Sequence, residues 1–254
     1  MIRLVPFELI GFLSGFLLGI LGLGWGAVSV PILTILGMDP TPVIALSLLA
    51  RTPVALVSGL AYWKFGNVEK KTFTLLLASG TVGALIGAAL SLMLPMIPTY
   101  ELRMLLGYLT VLMGLLVLLR PLRKTPVKAP EAPAVIQTSY IIGIGIFAGL
   151  CAGTVGFGWG PIGVPLLMLI GISPQLAIGC SLLSGVAVSL AGGLYHYAVG
   201  EITYSILIPL AAFGMAGAVL GALTSRKIPP ETLRPIAAIV IMILGAIARY
   251  AVLF

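Results

Sequence analysis

The sequence predicts an all-α integral membrane protein made of two inverted-topology repeats, each with a broken or re-entrant helix pair followed by three transmembrane helices. Three observations predict it. The 254-residue chain is 60% hydrophobic and only 8% charged, with a mean hydropathy of +1.20; that is more apolar surface than a water-facing fold can hide, so lipid is its solvent. Residues 11–91 read a second time at 145–225, without a gap, in a register shifted by 134 positions. Each copy carries a glycine-rich interruption, Gly22-Leu23-Gly24-Trp25-Gly26 returning as Gly156-Phe157-Gly158-Trp159-Gly160.

The same shift carries Pro31 onto Pro165, Gly37 onto Gly171, Pro40 onto Pro174, Ser47 onto Ser181 and Gly83 onto Gly217. The units are therefore an N-terminal repeat, 1–120, a linker, 121–139, and a C-terminal repeat, 140–254. The glycine runs divide each opening stretch into two short apolar segments, 8–21 and 26–37, then 140–154 and 161–170. At ~1.5 Å per residue these are half-spans, because a full crossing takes ~20 residues. Three longer segments follow in each half, at 41–63, 72–94 and 102–120, then 174–197, 203–224 and 232–254. Pro121, Pro126, Pro130 and Pro133, with several charges, mark the linker. The basic, apolar start resembles a signal peptide, but its copy at 141–155 lies in mid-chain, so the stretch reads as a structural element.

A broken pair that returns to its starting side leaves each half an odd number of net crossings, so the second half is upside down. Basic residues agree: with both termini outside, Lys64, Lys70, Lys71, Arg120, Arg123, Lys124, Lys128, Arg226, Lys227 and Arg234 share one face. By the positive-inside rule that face, with the linker, is cytoplasmic in a cell-membrane protein. This orientation accounts for the net charge of +7 without nucleic acid as a partner. Cys151 and Cys180 lie in apolar stretches at no metal-ligand spacing, so neither a metal site nor a cofactor is expected. The sequence leaves the choice between a single unit and a homodimer open.

A helix that starts inside the bilayer exposes unpaired N–H groups and a partial positive charge, which an anion satisfies. The second half-helices are expected to start near Gly26 and Pro161, and inversion brings both starts toward the midplane. Gly22, Gly24, Trp25, Gly26, Gly156, Gly158, Trp159 and Gly160 are accordingly candidate substrate-binding residues; the alternative is that the glycines only allow tight helix packing. Arg51 falls near the middle of its span, where a guanidinium costs at least ~2.5–3.5 kcal/mol on insertion scales. All seven acidic residues lie at helix ends or in loops. Arg51 is therefore a candidate ligand for an oxyanion, or else a structural arginine bonded to backbone carbonyls. Ser47 and Ser181, one turn earlier in each half, offer hydroxyls to the anion or to neighbouring helices. His196, the only histidine, opposite Tyr62 in the repeat, is a coupling candidate or an interfacial polar residue. Arg103 and Arg234 read as snorkelling anchors.

The glycine break leading to Pro31 or Pro165, then Pro40 or Pro174, the Ser47 or Ser181 run, and Gly66-Asn67-Val68-Glu69 with Gly200-Glu201-Ile202 resemble the sulfite exporter family named after TauE and SafE, also called TSUP transporters. The resemblance covers nearly the whole chain. It implies a membrane carrier for small sulfur oxyanions or organosulfonates (sulfite, sulfate, thiosulfate, sulfoacetate), with the duplicated glycine regions on the transport path. The chain departs from the family in Trp25 and Trp159, where glycine often continues, and in Arg51, where many members carry an apolar or small residue. The expectation is an alternating-access exporter of small anions. A passive anion channel is the alternative; a membrane-embedded phosphate-handling enzyme would need a carboxylate at depth, and none is there.

Overall fold

A computed structural model describes residues 7–93, 99–119, 134–198 and 203–250. Most of the linker, Glu131, Glu201 and the side chain of Arg103 lie outside the described residues. The described residues form ten α-helices and no strand: α1 (Phe7–Leu21), α2 (Trp25–Ile35), α3 (Pro40–Lys64), α4 (Lys70–Met93), α5 (Thr99–Leu119), α6 (Ala134–Val155), α7 (Trp159–Leu169), α8 (Pro174–Tyr197), α9 (Tyr204–Ser225) and α10 (Pro230–Tyr250). The repeat shift maps α1–α4 onto α6–α9, and α5 matches α10 once three residues are gapped. Five helices, α3, α4, α6, α8 and α9, are long and apolar enough to cross a membrane. α5 and α10, at 21 residues each, reach ~31 Å, a bilayer core's thickness.

The expected half-span at 140–154 is corrected: α6 has 22 residues and begins inside the stretch read as linker. Beyond Pro133 the segment Ala134-Val135-Ile136-Gln137-Thr138-Ser139 carries neither charge nor proline, so nothing stops the helix from extending backwards. The starts of α2 and α7 also move, to Trp25 and Trp159. Pro161 thus sits third in its helix, still within the first turn where its missing N–H is harmless. α3 and α8 each start on a proline, Pro40 after Asp39 and Pro174 after Ser173, where a preset φ favours the first helical position.

The halves interlock rather than sit side by side. α1 packs on α9, and its counterpart α6 packs on α4; α3 packs on α8 and α5 on α10. Small residues permit these contacts. Gly11, Gly15 and Gly19 form a stripe along α1, and a Cβ at each would come 2.4, 2.1 and 2.2 Å from the carbonyls of Leu210, Gly214 and Ala218 on α9. The copy repeats this: a Cβ at Gly149 or Gly153 would meet the carbonyls of Gly80 and Ala84 at 2.2 and 2.0 Å. Backbone approach of this kind is how helices associate where lipid removes the hydrophobic drive.

The contacts also give direction. Along α3 and α8, Leu48 meets Gly192, Gly59 meets Leu183 and Tyr62 meets Gly179, so these equivalent helices run antiparallel. α5 and α10 do likewise, Gly107 facing Gly245 and Gly114 facing Ala238. Gly15→Ala and Gly149→Ala are each expected to destabilise the detergent-solubilised protein by about 1–3 kcal/mol through overpacking, read as a lower Tm. Gly143→Ala, with nothing within 4 Å of the new Cβ, should hold or raise Tm; equal effects at all three positions would refute the packing assignment.

Candidate anion site between the two helix breaks

The two breaks touch. A Cβ at Gly26 would lie 2.4 Å from the carbonyl oxygen of Gly156, and one at Gly160 would lie 2.4 Å from that of Gly22, the same contact seen from each half. At Gly24 and Gly158, φ is 107° and 127°, values at which any other residue is strained, and these glycines turn the chain into α2 and α7. Neither has a side-chain cap. The first bond back to the turn is Val28 N–H to Gly24 O at 2.9 Å, and Ile162 N–H to Gly158 O at 2.9 Å. The first-turn amides before them, on Trp25, Gly26 and Ala27 and on Trp159 and Gly160, have no acceptor within their helices.

Between the breaks is a cavity of about 20 Å³, lined by Gly24, Trp25, Gly26 and Arg51 from the first half and by Gly156, Phe157, Gly158, Trp159, Gly160 and Pro161 from the second, with Leu18, Leu23, Leu48 and Ala152. That volume suits about one water. A tetrahedral oxyanion enters only if the surrounding helices move apart.

Among the described residues Arg51 supplies the one formal charge in the lining, and it is 5% exposed. Its Nη1 crosses between the halves to donate to the Gly185 carbonyl at 3.0 Å and to Ser189 Oγ. Both partners are neutral, and Nη2 is buried without a hydrogen-bond partner. Gly185 is Arg51's own repeat equivalent. A Cβ there would stand 2.7 Å from Nη2 and 2.8 Å from Trp159 Nε1, so the missing side chain of one half makes room for the arginine of the other. Nη1 thus makes the bond to a backbone carbonyl that the structural reading expects, while Nη2 has no hydrogen-bond partner.

The tryptophans are fixed in matching ways. Trp25 Nε1 donates to the Ser47 carbonyl and Trp159 Nε1 to the Ser181 carbonyl, each at 2.8 Å. Their rings press on Gly214 of α9 and Gly80 of α4. With both N–H groups satisfied, the indoles contribute shape and apolar wall rather than donors. The serine hydroxyls, in contrast, are not part of the lining. Ser47 Oγ bonds Ser29 Oγ at 2.9 Å, and Ser181 Oγ is buried without a hydrogen-bond partner because Gly163 stands where the first half has Ser29. Gly22 contributes its carbonyl to the contact between breaks and is also outside the lining.

His196 is not part of the cavity lining. It is 1% exposed, and its Nε2 lies 2.7 Å from the Gly153 carbonyl and 3.5 Å from Ser91 Oγ. A carbonyl only accepts, so Nε2 carries the proton. Tyr62 does the equivalent work in the first half, its hydroxyl 3.1 Å from the Gly19 carbonyl and 2.6 Å from Ser225 Oγ. Each residue thereby closes a carbonyl that the end of α1 or α6 leaves open. Arg234 Nη2 donates to the Val117 carbonyl at 3.0 Å, tying α10 to α5.

Sequence reasoning missed Gly185, Ser189 and Ser29. The shift itself held the signal for Tyr62 and His196, since it aligns Gly19 with Gly153 and Ser91 with Ser225.

Comparison with known proteins agrees with this architecture. The chain is 30% identical over 233 residues to the probable membrane transporter protein YtnM of Bacillus subtilis (strain 168), covering 90% of this chain and 77% of that protein. It is 26% identical to the probable membrane transporter protein YdhB of the same strain, over 97% of this chain and 98% of that one. A probable membrane transporter protein of Xylella fastidiosa (strain Temecula1 / ATCC 700964) is 29% identical, over 86% and 83%. No solved structure matches. The family model described as sulfite exporter TauE/SafE matches residues 8–247, and this multi-pass helical protein belongs to that family of membrane transporters.

Proposed function

We propose that the protein exports small sulfur oxyanions or organosulfonates across the plasma membrane by alternating access. The observation that carries the reading is Arg51, which lines the cavity between two uncapped helix starts and whose buried Nη2 has no hydrogen-bond partner. A planar guanidinium edge and converging backbone N–H groups are the donors an oxyanion selects. The description of the family as sulfite exporters supports sulfur chemistry within that anion class.

Outward movement needs no coupling ion. A cell interior at −100 mV favours anion exit by about 2.3 kcal/mol per charge. The small volume between the breaks supports a carrier over an open pore, because loading requires the halves to separate. The antiparallel run of equivalent helices supports inverted repeats, and the basic residues on the linker's face support a cytoplasmic linker with both termini outside. In such a frame opening to one side and opening to the other are mirror processes of two similar halves.

Two measurements test the proposal. In proteoliposomes, Arg51→Met should lower the apparent affinity for labelled sulfite or a small sulfonate by about 2 kcal/mol or more, roughly 30-fold, since a charged partner of a buried anion is lost; parental flux for every anion tried would end the site assignment. Orientation is read with an impermeant maleimide on Lys71→Cys and Ser205→Cys, exposed positions related by the repeat shift. Ser205→Cys should label on intact cells and Lys71→Cys only after permeabilisation, the native thiols Cys151 and Cys180 being buried. Labelling of both from one side would show parallel halves.

A further inference from the structure

We infer that the site selects singly charged oxyanions of the form X–SO3⁻, in which X is neutral, over doubly charged anions of the same shape. The inference rests on the anion-carrier reading and narrows its substrate class. It follows from counting charge at the cavity. Among the described residues Arg51 is the one charged residue in the lining, and no carboxylate bonds to it, both of its hydrogen-bond partners being neutral.

The helix dipoles add direction but little net charge. Each break joins the C-terminal end of one helix to the N-terminal start of the next: α1 ends at Leu21 and α2 starts at Trp25, while α6 ends at Val155 and α7 starts at Trp159. An N-terminus contributes about +0.5 charge and a C-terminus about −0.5, so each pair sums to about zero. The carbonyls of Gly22 and Gly156, each against a glycine of the opposite helix start, deepen that cancellation. The first-turn amides still aim donors at an oxygen, but the balance of whole charges is left to one guanidinium.

The guanidinium is also restricted in how it binds. Nη1 is occupied by the Gly185 carbonyl and Ser189 Oγ, which leaves Nη2 as the free terminal nitrogen. A two-pronged grip by both terminal nitrogens is therefore unavailable. A monoanion gives a neutral loaded site. A dianion would keep one uncompensated charge in a water-poor interior, a heavy desolvation penalty. Ser189 acts here as a positioning residue that sets which edge of Arg51 meets the solute.

The test uses anions that share the SO3 group and differ in the fourth substituent. Sulfamate and methanesulfonate are singly charged at neutral pH; sulfate and thiosulfate are doubly charged. Binding to the detergent-solubilised wild-type protein is read from tryptophan fluorescence at constant ionic strength, because two of the three tryptophans, Trp25 and Trp159, line the cavity. Inhibition of labelled sulfite flux in proteoliposomes gives a second reading. The singly charged pair is expected to bind at least tenfold more tightly than the doubly charged pair. Equal or tighter binding of sulfate or thiosulfate overturns the charge rule while leaving the anion carrier intact. If no member of the set changes the fluorescence or the flux, the charge rule falls together with the carrier reading.

Discussion

The contact between the two helix breaks is the constraint from which the rest of the structure follows. In lipid, a backbone segment that leaves the helical path must be buried in protein or against a polar cavity. Here each break is buried by the other, with Gly22 against Gly160 and Gly156 against Gly26. That contact requires glycine at 26 and 160, while Gly22 and Gly156 owe their identity to positive φ, and it brings two helix starts together. It also requires α1 and α6 to end at one depth, which their stripes of small residues allow by seating them on α9 and α4.

Symmetry builds the frame, and departures from symmetry build the site. The indole bonds to Ser47 and Ser181 and the closures by Tyr62 and His196 are duplicated almost atom for atom. Arg51 and Gly185 are not. One half supplies a long cation, the other supplies the space and, through Ser189, the second anchor; the first half has Ala55 at that place. An arginine at 185 as well would collide with Arg51, since even a Cβ there would stand 2.7 Å from Nη2.

Much of this was legible in the sequence because the duplication samples the same local physics twice. The breaks and the helix starts at Pro40 and Pro174 depend on residues close in sequence, and both recur at the shift. The unusual burden of Arg51 was visible from its depth alone. What the sequence did not give was the bond from Arg51 to Ser189, which joins helices from different halves and has no repeat counterpart. The full length of α6 was obscured by the neighbouring prolines of the linker. For Ser47 and Ser181 the sequence left the anion and the neighbouring helix as alternatives; Ser47 bonds Ser29 of the neighbouring helix, and Ser181 does not repeat that bond because Gly163 stands at the equivalent place.

The interlocked pairing of α1 with α9 has a consequence for biogenesis. α1 leaves the ribosome before the other described helices, yet the surface its glycine stripe fits, on α9, is synthesised only after seven more helices have followed. Until then a short helix with a bare groove of backbone must wait in the bilayer or beside the insertion machinery. Assembly is thus closed by late-made segments returning to early ones, and neither repeat holds a complete set of its own neighbours.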